Sequence, residues 1–232
     1  MNKVCVVIGV GPGNGEALVR RFCAEGYQVA MLARSEDYLT GLADELANAH
    51  AFVHDASDLA AAAGVFARIE QQLGAASVLL YNAGGGAFKN AEDATLEEFE
   101  ANWRINVGGL VAATQAVLPQ LRQHPTASIV VTSASAALRG RANTAPFASA
   151  KAAQRSLAQS LARQLGPEKI HVALVVLDGV VDLPRTRKAM PDKPDDFFLK
   201  PADVADSVWM LTRQAPSAWT FELDLRPFAE TW

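Results

Sequence analysis

The stretch Val4-Cys5-Val6-Val7-Ile8-Gly9-Val10-Gly11-Pro12-Gly13-Asn14-Gly15 decides how the rest of the chain is read. A run rich in β-branched residues meets a cluster of glycines, and a helical pattern follows at once. Glycine lets the backbone approach a ligand closely, and the next helix offers free N–H groups and the positive end of its dipole to an anion. Strand, turn and helix in this order make a cradle for a pyrophosphate. The spacing is particular. G-x-G-x-x-G fails from Gly9, where its third glycine would be Asn14, and from Gly11, where it would be Glu16; G-x-x-x-G-x-G fits at Gly9, Gly13 and Gly15.

Outward from this stretch, helical and strand patterns alternate, which predicts a doubly wound parallel sheet of about seven strands with helices on both faces, a Rossmann-like α/β fold. The spacing predicts a first helix over Asn14–Glu25, ended by Gly26, then a strand over Gln28–Ala33, a helix over Glu36–Ala47 and a strand over His50–His54. Asp55-Ala56-Ser57-Asp58 opens an alanine-rich helix, with Asp55 or Ser57 as its cap. Strand four, Ser77–Tyr81, runs into Asn82-Ala83-Gly84-Gly85-Gly86. A long helix begins at Thr95, whose capping box is completed by Glu98, and carries Asn106 as far as Pro119. Strand five is Ser128–Thr132, with Ser133 and Ser135 just beyond it. A helix over Pro146–Leu165, a strand over His171–Leu177, a helix over Pro201–Arg213 and a strand over Trp219–Leu225 complete the series. Residues 178–200, with Pro184, Pro191 and Pro194, break the alternation and read as a loop that shapes a substrate site.

Composition narrows the function. The 232 residues, half of them apolar, suit a single domain over 1–232. With 25 acidic and 21 basic residues the net charge is -4, so no broad basic surface points to nucleic acid or to an anionic membrane. The expected partner is a small molecule. No apolar run approaches the ~18 residues of a membrane span, and the apolar start is cut short by Gly9, a poor signal peptide; a cytoplasmic protein is expected. Cys5 and Cys23 offer no disulfide framework, and neither they nor His50, His54, His124 and His171 have metal-ligand spacing.

Taken together these residues resemble the short-chain dehydrogenase/reductase family over nearly the whole chain. Gly9, Gly13 and Gly15 match its glycine loop, Asp55 the acidic residue that meets the adenine, Asn82-Ala83-Gly84 its Asn-Ala-Gly segment, Asn106 its helix asparagine, and Lys151 the lysine of Tyr-x-x-x-Lys. Val181 matches the residue whose backbone meets the carboxamide. The resemblance implies that Asn14 and Ala56 also lie on the cofactor, and that the protein is a homodimer or homotetramer. The end of strand two indicates which cofactor. An NAD site usually has Asp or Glu about 20 residues past the glycines, whereas Leu32-Ala33-Arg34-Ser35 has no carboxylate and supplies a guanidinium that can pair with a 2′-phosphate. NADP(H) is therefore expected.

The helix from Pro146 departs from the family pattern. It reads Phe147-Ala148-Ser149-Ala150-Lys151, with phenylalanine where the family has its proton-transferring tyrosine. Phenylalanine has no exchangeable proton, and Tyr27, Tyr38 and Tyr81 lie on other elements. An ungapped comparison puts the family's substrate serine on Ala134, between Ser133 and Ser135; a shift of one residue brings Ser133 into use. Asp178 stands at the C-terminal edge of the sheet, either as a proton carrier or as a turn residue. Arg139, Arg141, Arg185, Arg187 and Lys188 are either solvated loop charges or contacts for an acidic substrate. The aromatic tail, Trp219, Phe221, Phe228 and Trp232, is read as sealing the substrate side or an oligomer contact.

Two functions fit. One is an NADP(H)-dependent oxidoreductase whose proton step does without tyrosine, with Lys151 holding the ribose, Asn106 fixing a water near it, and Ser133 orienting the substrate. The other is a catalytically inactive NADP(H)-binding sensor or scaffold.

Overall fold

The opening run forms strand β1, Val4–Ile8, with every residue buried. In the computed structural model, which describes residues 3–230, helix α1 follows over Asn14–Ala24 and buries Leu18, Val19 and Phe22. Gly26, at φ 79°, lets the chain turn out of it. Strand β2 is Gln28–Ala33. Ser35 caps helix α2, Glu36–Glu45, by accepting from the Tyr38 N–H. Strand β3 is Ala49–Val53, helix α3 Ala62–Leu73 and strand β4 Ala76–Tyr81. Helix α4, Leu96–Trp103, has the expected capping box between Thr95 and Glu98. Helix α5 is Gly109–Leu121, strand β5 Ala127–Ala134, helix α6 Ala145–Leu165 and strand β6 Ile170–Leu177. Two short strands, β7 at Val180–Val181 and β8 at Phe198–Leu199, flank helix α7, Pro184–Ala189. Helix α8, Pro201–Thr212, and strand β9, Glu222–Leu225, follow.

Seven strands form one parallel sheet in the order β3-β2-β1-β4-β5-β6-β9. Alternate residues of β1 feed opposite layers. Val4, Val6 and Ile8 join a core with Val65, Phe66 and Ile69 of α3, Leu110 of α5 and Leu161 of α6. Cys5 and Val7 join one with Leu18 and Phe22 of α1, Leu39 of α2 and Val208 of α8. Because a side chain alternates faces along a strand, a continuous apolar run is what a sheet covered on both sides requires.

Several expected elements differ from those observed. Asp55 does not cap α3; its carboxylate accepts from the N–H and hydroxyl of Ser57 in a local turn, and α3 starts only at Ala62. The long helix over Thr95–Pro119 is interrupted by a π turn at Arg104–Gly108. There the Asn106 side-chain amide donates to the Asn102 carbonyl at 2.8 Å, an internal competitor for the helical ladder. Strand β5 continues through Ser133 to Ala134 because β6 pairs with it along its full length, so Ser133 lies in the strand, not beyond it. Residues 178–200 are not a structureless loop: β7 and β8 pair in parallel and α7 lies between them.

Candidate active site

The chain leaves β1 for β2 and β3, then returns to place β4 on the other side of β1. Open α/β sheets bind ligands beyond the carboxyl ends of the strands at such a reversal. The residues following β1 and β4 are joined there. Asn82 donates its backbone N–H to the Ile8 carbonyl and its side-chain amide to the Gly9 carbonyl, each at 2.9 Å. Thr132 Oγ1 ties in β5 by donating to Asn82 Oδ1 at 2.8 Å. Gly9 has φ 89°, and a Cβ on it would lie 2.5 Å from Ala83 N. At Gly13, φ 103°, a Cβ would collide with Leu183 Cδ2, and at Gly15 with the Gly9 carbonyl oxygen. All three spaced glycines therefore sit where a side chain does not fit.

A cleft of about 560 Å³ opens from this turn and is lined by Gly9, Ala33, Arg34, Asp55, Ala56, Asn82, Ala83 and Gly84. The two hydrogen bonds from Ser57 hold the Asp55 carboxyl below its usual range, and the nearby Arg34 charge adds to this. A second cavity, of about 270 Å³, lies over Gly11, Asn14 and Gly15 and reaches Val181 and Arg185. Asn14 Oδ1 is buried without a hydrogen-bond partner.

Lys151 is buried on α6, only 5 % exposed. Its ammonium donates to the Thr132 carbonyl at 3.3 Å and to Gln154 Oε1 at 3.0 Å. Burial lowers its pKa to about 8. Gln154 in turn donates Nε2 to the Asn106 carbonyl at 2.8 Å, so its amide links Lys151 to the Asn106 backbone. Asn106 Nδ2 is spent on the Asn102 and Gly85 carbonyls, and Asn106 Oδ1 is buried without a partner. Both Asn106 and Lys151 reach Gly84: a Cβ there would lie 3.3 Å from Asn106 Oδ1 and 3.4 Å from Lys151 Nζ. The Phe147 ring centre is 5.9 Å from Lys151 Nζ and 5.1 Å from the Phe88 ring centre.

Phe147, Phe88, Ala134, Ser135, Arg139 and Asp178 line a further cavity of about 430 Å³. Asp178 is thus brought to it, but its carboxylate faces Arg139 at 3.3 Å and Arg226 at 3.8 Å. Ser133 is not part of this lining, and its buried hydroxyl has no partner. Arg187 is bound to Asp182 and Asp195. No group of three or more His, Cys, Asp or Glu able to hold a metal is found among the described residues. Trp219 stacks on His171 and Phe221 packs on the core, so neither is free to seal a site; Phe228 is exposed, and Trp232 lies outside the described residues.

Sequence reading missed Gln154 and Leu183. Gln154, three residues after Lys151, shares its helix face, a spacing that could have identified it; Leu183 carries no local signal for its packing on Gly13.

The pattern of the short chain dehydrogenase family matches residues 3–194. An uncharacterized oxidoreductase of Staphylococcus aureus is 24 % identical over 228 residues, 97 % of each chain. The 2,3-dihydro-2,3-dihydroxybenzoate dehydrogenase of Bacillus subtilis is 29 % identical over 180 residues, 75 % of this chain and 68 % of that protein. An alcohol dehydrogenase from Thermococcus sibiricus, complexed with 5-hydroxy-NADP, superposes with a TM-score of 0.87 at 27 % identity, covering 100 % of this chain and 99 % of that one. With its family pattern on a doubly wound parallel sheet and its glycine turn at the reversal of strand order, the chain belongs to the short chain dehydrogenase family of oxidoreductases.

Proposed function

We propose that the chain is an NADP(H)-dependent oxidoreductase that moves a hydride to or from a small organic substrate without a tyrosine acid. The observation that carries this reading is the pairing on α6 of a buried Lys151 with Phe147, where the sequence resemblance puts the family's tyrosine, beside a cleft rimmed by Arg34.

The residues fit a dinucleotide. Spaced glycines leave no room for a Cβ on the turn, while Asn14 Oδ1 and Asn106 Oδ1 are buried acceptors without partners. When bound, the nicotinamide supplies or accepts the hydride. Gly9, Gly13, Asn14 and Gly15 would hold the pyrophosphate, Asp55 and Ala56 the adenine side, Asn82, Ala83 and Gly84 the wall of the cleft, and Val181 the carboxamide. Arg34 would pair with the 2′-phosphate, since Ala33 leaves no carboxylate to repel it. The Thermococcus sibiricus relative, crystallised with 5-hydroxy-NADP, supports this choice. Lys151 would hold the ribose. Residues 178–200 would shape the substrate side of a single domain acting in the cytoplasm as a homodimer or homotetramer.

Phe147 can neither give nor take a proton, so the favoured substrates need none from it. Hydride addition to a ketone leaves an alkoxide to be protonated, and losing a positioned acid typically costs ~10²- to 10⁴-fold. An iminium ion takes hydride at carbon while its π electrons return to nitrogen, and no proton is required. An activated alkene needs one proton at carbon, from water or from Asp178, which lies against Arg139 and Arg226. Calorimetry with NADPH and NADH, followed by turnover against ketones, imines and activated alkenes, tests the reading. Tighter binding of NADPH with turnover of imines or alkenes is expected; NADPH binding without turnover of any of them would make the protein a non-catalytic binder.

A further inference from the structure

The segment that follows β6 is fastened over the glycine turn. Leu183 packs against Gly13 so closely that a Cβ there would have to displace its Cδ2. Thr186 Oγ1 donates to the Val181 carbonyl at 2.7 Å and accepts from the Leu183 N–H at 3.0 Å, which fixes the start of α7. Asp182 binds Arg187 at 2.6 and 2.9 Å and Lys200 at 2.7 Å, and these bonds hold its carboxyl far below the usual range. Arg187 reaches Asp195 as well, at 2.6 Å. The charges of Arg187 and Lys200 are therefore used within the segment to pin it.

Arg185 is used differently. It has no acidic partner among the described residues, and it lines the cavity that also borders Gly11, Asn14 and Gly15, where it is the one charged residue. A guanidinium bordering a glycine turn, with Arg187 and Lys200 already paired to carboxylates, creates a local demand for an anion with several oxygens. We propose that Arg185 is a pyrophosphate-binding residue, closing from α7 on the group that the glycine turn cradles. This rests on the dinucleotide reading above. It adds a different property: pyrophosphate is common to NADP and NAD, so Arg185 strengthens both without choosing between them, whereas Arg34 chooses.

The test is calorimetric titration of the full chain and its Arg185→Gln and Arg185→Lys variants with NADPH, NADH and adenosine 2′-monophosphate, which has no pyrophosphate. Arg185→Gln is expected to weaken both dinucleotides by about 10-fold or more, the size of a lost charge-assisted bond. It should leave their ratio and the binding of adenosine 2′-monophosphate unchanged. Arg185→Lys should recover part of the loss, having the charge without the planar fork. NADPH affinity in Arg185→Gln equal to that of the native chain would overturn the proposal, as would an equal loss for adenosine 2′-monophosphate. A native chain that binds neither dinucleotide would overturn the cofactor reading and this inference with it; native binding with an indifferent Arg185→Gln would overturn this inference alone.

Discussion

Lys151 and Phe147 project from one face of α6, with the ammonium 5.9 Å from the ring centre. One helical turn thus combines a buried cation with a ring that has no proton to exchange. The lysine is also held from behind, through Gln154 to the Asn106 carbonyl. A site of this kind can position a ribose firmly while leaving the proton step to the substrate.

On the proposed reading, Arg34 sets the choice of cofactor. Arg34→Ala should weaken NADPH by about 10- to 100-fold, the equivalent of ~1.5–3 kcal/mol for bonds to a charged group, and leave NADH unchanged. The ratio of the two affinities by calorimetry checks this. Equal losses for both would mean that Arg34 does not meet the 2′-phosphate.

Lys151, lowered to about 8 by burial, sets a pH dependence. Its cation is the better donor to a ribose hydroxyl, so NADPH affinity should be full below that pH and fall as pH rises through it. Lys151→Met should bind more weakly and without this step. Stability has the opposite slope. The unfolded lysine, near 10.5, holds its proton where the folded one at about 8 has lost it, so this group makes the fold more stable as pH rises between the two values. Denaturant titrations at several pH values, native against Lys151→Met, measure that slope.

Gly9→Ala should cost about 2–4 kcal/mol, since a Cβ 2.5 Å from Ala83 N adds crowding to an unfavourable positive φ. Urea unfolding checks it. A loss comparable with an ordinary surface substitution would show that the turn can relax.

Gln154→Ala should cost a similar amount, about 2–4 kcal/mol, because it removes a buried hydrogen bond to the Asn106 carbonyl, leaves the Lys151 ammonium with one acceptor fewer and opens a void in a buried place. Thermal or urea unfolding of the two proteins measures this, and equal stability would argue that the bridge does not hold the lysine.

The parallel sheet was legible because strands buried on both faces leave continuous apolar runs, such as Val4–Ile8 and, within β6, residues 172–177. The glycine turn was legible from its spacing alone. The π turn at Arg104–Gly108 was not, since it depends on whether the Asn106 amide finds a carbonyl four residues back, which composition does not reveal. Nor were the partners of Asp178, because Arg139 and Arg226 reach it from distant points of the chain. The bridge through Gln154 escaped for a related reason: its second partner, the Asn106 carbonyl, is brought near only by the packing of α6 on the π turn.

The central claim is that hydride transfer here proceeds without an acid at Phe147. It is tested most directly by the rate of NADPH oxidation with a cyclic iminium ion and with the ketone of the same carbon skeleton, in the native chain and in Phe147→Tyr. The account predicts that the native chain reduces the iminium at least ~10²-fold faster than the ketone, and that Phe147→Tyr raises ketone turnover while NADPH affinity stays the same. Native turnover of the ketone as fast as the iminium, or no turnover of either by a chain that binds NADPH, would contradict it.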